Sequence, residues 1–144
     1  MEHEWKYAAR SGGKEEKWAG TSDELKLIEY AWYDKNSWNG IHPVGQKLPN
    51  GLGIYDMSGN VNEWVDDTEA ENLYWEWADH TYVEVDYRID RVRCEQHFVR
   101  GGCCYSNAKA VSCTYKHGFY SPEFRCDSIG FRLVLEKFIE RGAS

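Results

Sequence analysis

Between Leu48 and Asp67 the chain reads LPNGLGIYDMSGNVNEWVDD, where turn residues recur too often for any long element to form. Asn50-Gly51 and Gly53 mark turns. Ile54-Tyr55 predicts a short apolar strand, and Ser58-Gly59-Asn60 a further turn before Val61–Val65. Pieces this short must be held together by side-chain packing. The means are abundant, because seven Trp, ten Tyr and five Phe make up 15% of the 144 residues. Each buries a large, rigid apolar area, which makes a compact core feasible at this length and excludes disorder of the whole chain. The length favours one domain, residues 1–144.

Residues 2–10, EHEWKYAAR, predict a helix with Trp5, Ala8 and Ala9 on one face, stopped by Ser11-Gly12-Gly13. In 21–30, Thr21 and Glu24 have the spacing of a capping box, although an irregular turn fits equally. Alternation in Thr81–Tyr87 predicts a strand, and the acids of 66–90 read as a solvated loop face. Phe98–Gly102 and Ile129–Leu135 look like central strands.

A net charge of −7 argues against a nucleic-acid backbone or an anionic membrane as partner. The N-terminus lacks the apolar core of a signal peptide, and no apolar run of about 18 residues exists to insert in a bilayer. The expected location is a virion or phage particle, or a cell surface reached by association, and otherwise the cytoplasm. Cys94, Cys103, Cys104, Cys113 and Cys126 are odd in number and lack zinc spacing, so they read as reduced thiols.

Three ordered segments carry a family resemblance: EHEWKYAARSGG at 2–13, HPVGQKLPNGLGIYDMSGNVNEW at 42–64, and VRGG followed by IGFRLV across 99–134. With these the chain resembles the formylglycine-generating-enzyme (sulfatase-modifying factor) domain, a variant of the C-type lectin fold. The resemblance implies an α+β fold of short strands, two short helices and much loop.

Enzymes of that family oxidise a sulfatase cysteine with two thiols that hold copper, since soft thiolates capture Cu(I). Aligned on Gly101-Gly102, those two positions fall on Ser106 and Val111, so the expectation is no catalysis by that mechanism. His3, His42, His80, His97 and His117 show no 2-His-1-carboxylate spacing either. The resemblance also implies a calcium loop made by Asp56, the carbonyls of Gly59 and Val61, and Glu63. Two hard carboxylates flanking a turn suit such an ion. The alternative has Asp56 capping the turn and Glu63 pairing with an Arg. No cofactor is required, and a structural Ca²⁺ stays open.

The window 103–128, CCYSNAKAVSCTYKHGFYSPEFRCDS, mixes Tyr, Phe, Ser, Asn, Gly and His much as antibody paratopes do. Several lectin-fold proteins resembling this chain are variable proteins of diversity-generating retroelements, in which template adenines, often in Asn codons, are copied into random bases. An AAC or AAT codon so treated yields Tyr, Ser, Cys, His, Gly, Phe, Asp, Val, Ala and a few others, but never Lys, Glu, Gln, Met or Trp. In the window only Lys109, Lys116 and Glu123 violate that set.

The expected ligand-contacting residues are Tyr105, Ser106, Ser112, Cys113, His117, Phe119, Tyr120, Phe124, Cys126, Asp127 and Ser128. Lys109, Lys116, Pro122, Gly130 and Phe131 are assigned to the frame, and Tyr115 to the core. The leading expectation is a non-enzymatic receptor-binding module whose partner is a protein on a host or partner surface. A metal-dependent oxidase of the same family is the runner-up, and a structural virion subunit the third reading.

Overall fold

Trp5 and Ala9 lie on the buried face of helix α1 (Glu2–Ala9), and Ala8 packs partly against the same core. The amides of Gly12 and Gly13 both donate to the Tyr7 carbonyl, closing the helix C-terminus through left-handed residues. The computed structural model describes residues 2–38, 40–68, 97–121 and 123–134.

The second helical stretch is a 3-10 turn, Glu24–Lys26, running into α2 (Leu27–Tyr30). Its cap differs from the capping box. Asp23 Oδ1 accepts from Leu25 N at 2.9 Å, while Thr21 Oγ1 accepts from Asp23 N at 3.0 Å. Thr21 is unavailable because its backbone exchanges two hydrogen bonds with Trp18, at 2.9 and 3.1 Å.

Four strands form one sheet in the order β3-β2-β1-β4. Strand β1 (Asn62–Thr68) runs antiparallel to β2 (His97–Arg100), pairing Glu63 with Arg100, Trp64 with Val99 and Val65 with Phe98, before a bulge. Strand β3 (Phe119–Tyr120) is antiparallel to β2, and β4 (Ile129–Gly130) is parallel to β1.

Several expected strands are shorter than the apolar runs suggest. β2 stops at Arg100 because Gly101 and Gly102 turn the chain with φ of 87° and 70°. Ile54-Tyr55 forms no strand, since Asn50 closes a turn on Ile54 through its side chain and backbone. The run from Ile129 keeps only two strand residues. Beyond Gly130 the chain leaves the sheet when Arg132 reaches the Glu63 carboxylate, and Phe131, Leu133 and Val134 are exposed. Phe131 is therefore no part of the buried frame. Leu135, Pro122, Cys94, Thr81–Tyr87 and most of the acidic stretch lie outside the described residues.

Two apolar clusters hold these pieces. Trp5, Ala9, Ala19, Met57, Val65, Phe98 and Cys113 form one; Trp18, Leu27, Ala31, Tyr33 and Val111 form the other. Both draw members from opposite ends of the chain, so neither forms before the loops between them close.

The tightest approach is at Gly59. Its φ is +79°, its amide donates to Gly101 O at 2.8 Å, and a Cβ placed there would lie 2.1 Å from the Trp32 carbonyl oxygen. Strain and collision both oppose any side chain. Gly59→Ala is expected to cost about 3 kcal/mol in urea unfolding, and a loss below about 1 kcal/mol would show that the Trp32 segment yields freely.

Candidate ligand-contact face

The backbone of the window is held from below at close intervals. Cys104 N donates to Asn60 O at 2.9 Å, and Ser37 Oγ donates to Cys104 O at 2.6 Å. Asp34 N donates to Ser106 O at 3.0 Å, and Trp18 Nε1 donates to Ala108 O at 2.6 Å. Cys113 N donates to Lys17 O at 2.9 Å. The buried Arg100 guanidinium donates to the carbonyls of Thr114 and Tyr115 at 3.3 and 2.8 Å, and forms an ion pair with Glu2. Every donor or acceptor on the far side of these bonds is outside 103–128. The frame thus sets the path of the window while many window side chains stay free to differ.

Several of those side chains point to solvent. Tyr105 is 49% exposed and Phe124 44%. Cys126 and Asp127 are exposed, and Ser106, His117 and Tyr120 half-buried. Tyr120 stacks on Phe124 with centroids 4.6 Å apart and meets the Trp64 edge at 6.1 Å. Tyr115, assigned to the core, is instead at the surface, edge-on to His117 at 4.8 Å. Of Phe119 only the backbone is described, in β3.

Three expected contact residues are buried: Ser112, Cys113 and Ser128. After Val111 the chain dives inward, and the Cys113 thiol enters the cluster around Trp5 and Phe98. Ser128 is covered because its carbonyl accepts from Asn62 N at 2.8 Å, at the start of β4. Such side chains serve the frame. Val111 does so too: it is fully buried against Trp18, Leu27 and Tyr33. Ser106 Oγ accepts from Cys103 N at 3.1 Å and closes the turn at the window's start. Lys116, assigned to the frame, is exposed, with its ammonium 5.9 Å from the Phe98 ring centroid.

Burial also governs the titrating groups. It pushes the Cys113 thiol up to about 12, with Glu16 adding to the effect. Burial raises Cys104 as well, ahead of the neighbouring Cys103. Cys104 in turn holds the Tyr105 phenol up, with burial and the Asp127 carboxylate following. Burial lowers His117, which shares its Nε2 with the Ala110 carbonyl at 2.8 Å. The buried thiols are therefore poor nucleophiles at neutral pH.

The calcium set divides. Asp56, at φ +57°, accepts from Gly45 N at 2.7 Å through Oδ2, and its buried Oδ1 has no hydrogen-bond partner. Glu63 follows the alternative, pairing with an arginine. Arg132 bonds it through Nη2 at 2.6 Å and through Nε at 3.1 and 3.2 Å, and Trp5 Nε1 donates to it at 2.8 Å. A guanidinium on the carboxylate neutralises it and repels an incoming cation. Asp56 Oδ1 suits a cation, but the four-ligand set does not fit Ca²⁺ as arranged. Among the described residues no three His, Cys, Asp or Glu side chains gather as metal ligands.

Sequence reasoning missed Asp34, Ser37, Asn60 and Arg100 as the posts that carry the window. Nothing in their spacing signals the role, because their partners lie 14 to 72 residues away along the chain.

Short strands and long loops around a small four-stranded sheet define an α+β C-type lectin-like domain. The chain belongs to the sulfatase-modifying factor enzyme 1-like domain family, whose pattern matches residues 1–137. It is 38% identical over 152 residues to chaperone protein LppX of Paenibacillus barcinonensis, covering 93% of this chain and 47% of that protein. The formylglycine-generating enzyme of Mus musculus is 28% identical, with coverages of 94% and 38%. Treponema denticola variable protein 1 shares the fold with a TM-score of 0.70 and 34% identity, over 91% of this chain and 44% of that one. The chain thus spans about half the length of these relatives or less.

Removing the Arg132 partner leaves Glu63, whose side chain is 8% exposed, charged and half-satisfied. Arg132→Gln is expected to cost about 1–2 kcal/mol in urea unfolding, discounted because Arg132 is itself a third exposed. Adding Glu63→Gln should restore part of the loss, and a fully additive double mutant would deny the pairing. Thiol alkylation followed by peptide mapping provides a second check. Among the thiols of the described residues, Cys126 is expected to react first, and Cys113 only on unfolding; early labelling of Cys113 would contradict its burial.

Proposed function

We propose that this chain is a non-enzymatic binding module, with 103–128 as a ligand-contact surface diversified by a retroelement. The observation that carries the reading is the separation of backbone from side chains in that window. Its main chain is bonded by Asp34, Ser37, Asn60 and Arg100, while Tyr105, Tyr115 and Phe124 face solvent. Exposed aromatics on a held backbone suit binding, because large area is gained with little entropy left to lose. Substitution at such exposed sites changes stability by about 0.5 kcal/mol or less, so one frame tolerates many surfaces. The likeness to a Treponema denticola variable protein supports the same view.

The ligand is a protein on a host or partner surface. Nucleic acid is disfavoured by the net charge of −7. No helix among the described residues is long and apolar enough to cross a membrane. Placement on a virion, phage or cell surface by association follows from that binding role.

The oxidase reading finds less support, since Ser106 closes a turn and Val111 fills the core where the family's thiols would stand. Copper bound stoichiometrically, with turnover of a cysteine peptide, would reverse the order.

Sequencing the gene in sister isolates together with its flanking DNA tests the proposal. Substitutions are expected to concentrate at the exposed positions of 103–128 and to spare Cys104, Val111 and Cys113. A near-copy of the 3′ coding end beside a reverse transcriptase is also expected. Substitutions spread evenly along the chain, with no such copy, would remove the diversification claim.

A further inference from the structure

Residues 121–127 are held differently from the first part of the window, where main-chain bonds from outside reach as far as Tyr115. Among the described residues, no hydrogen bond from outside 103–128 reaches 121–127. Their own bonds are local: Phe124 N donates to Ser121 O at 2.8 Å, and Glu123 N to Ser121 Oγ at 3.4 Å. Ser121, Glu123, Phe124, Arg125, Cys126 and Asp127 are all exposed. A turn with so little outside support opens readily unless side chains hold it.

A train of rings supplies that hold. Val65 and Phe98 turn into the core, so strand alternation turns Trp64 and His97 to the opposite face of the sheet. Tyr120 is the cross-strand neighbour of His97 and shares that face. The Trp64 ring stands edge-on to His97 at 6.3 Å and to Tyr120 at 6.1 Å, with interplanar angles of 88° and 86°. Tyr120 then stacks on Phe124 at 4.6 Å and 23°. All three separations suit aromatic attraction. The train starts from a fixed base, because Trp64 lies in β1 across from the fully buried Val99. It ends at Phe124, in the middle of the turn.

We infer that Trp64, outside the window, is a positioning residue that sets Phe124 for the ligand through Tyr120, and that positions 120 and 124 meet the ligand as one unit. The inference rests on the reading of 103–128 as a contact surface and deepens it. Tyr105 can change without moving its backbone, since Cys104 and Ser106 on either side of it are bonded from outside. A change that removes the ring of Tyr120 or Phe124 frees the turn. With one face stacked on Tyr120, Phe124 offers its other face and edge, which take an apolar side chain of the protein ligand.

Amide hydrogen exchange in segments 104–115 and 121–127 compares the unaltered chain with Phe124→Ser, Trp64→Leu and Trp64→Tyr. Phe124→Ser and Trp64→Leu are each expected to speed exchange in 121–127 about fivefold and to leave 104–115 within about twofold, with Trp64→Tyr restoring most of the protection. Unchanged exchange in 121–127 overturns the positioning role. Equal acceleration of both segments also overturns it, by assigning Trp64 to overall stability. Peptides enriched from a random dodecapeptide phage library panned against the whole chain then serve as the binding probe. Phe124→Ser is expected to weaken them about tenfold, and Trp64→Leu to add little in that background. Fully additive losses overturn the single-unit claim. An alanine scan of the peptide is expected to find one apolar residue whose loss weakens binding to the unaltered chain and not to Phe124→Ser; finding only polar ones overturns the assigned contact. If Tyr105→Ser weakens the peptides and Phe124→Ser does not, the role of Phe124 is overturned and the window reading stands. No enrichment, or peptides indifferent to both changes, overturns the contact-surface reading and with it the part of Trp64 in binding.

Discussion

The contact between Gly59-Asn60 and the Trp32 backbone is the constraint on which the rest of the structure depends. Gly59 lies so close to Trp32 that no side chain fits, and its amide bonds Gly101. Asn60 then donates its amide to Trp32 O, accepts from Cys104 N, and clamps His42 through its side chain. Three distant stretches of chain meet on two residues. Left-handed backbone at both, with φ of 79° and 65°, makes that convergence geometrically possible.

From this junction the division between frame and window follows. Main-chain groups at Cys104, Ser106, Ala108, Cys113, Thr114 and Tyr115 are bonded from outside the window, while the amides of Ser106, Ala110, Val111, Ser112 and Tyr115 are bonded within it. Side chains that turn inward, at Cys104, Val111 and Cys113, complete the two apolar clusters and are bound to a fixed size. Those that turn outward carry no such restriction. A surface can vary without unfolding only when these two sets are kept apart.

The same economy appears around Glu63. A buried carboxylate needs neutralisation, and Arg132 provides it from 69 residues away while Trp5 adds a third donor. That pairing ties α1, β1 and the segment after β4 together. It also draws the chain away from the sheet beyond Gly130, which is why the apolar run there does not extend β4.

Local features were legible in the sequence because they are set by neighbours in the chain. The helix at Glu2–Ala9, the turns around Asn50 and Gly59, and the signature segments of the family all read correctly. So did the exposure of Tyr105 and Phe124, whose setting in a Ser-rich window made a buried role unnecessary. Ser112, Cys113, Tyr115 and Ser128 were misread because composition describes a stretch as a whole and carries no direction for each side chain. Direction depends on where the backbone is tethered, and the tethers come from Lys17, Asp34, Ser37, Asn60 and Arg100, far along the chain. Residue type and short-range spacing therefore determined the elements and the family. Only folding, by bringing separated polar groups within hydrogen-bond reach, decided which window residues face water and which fill the core.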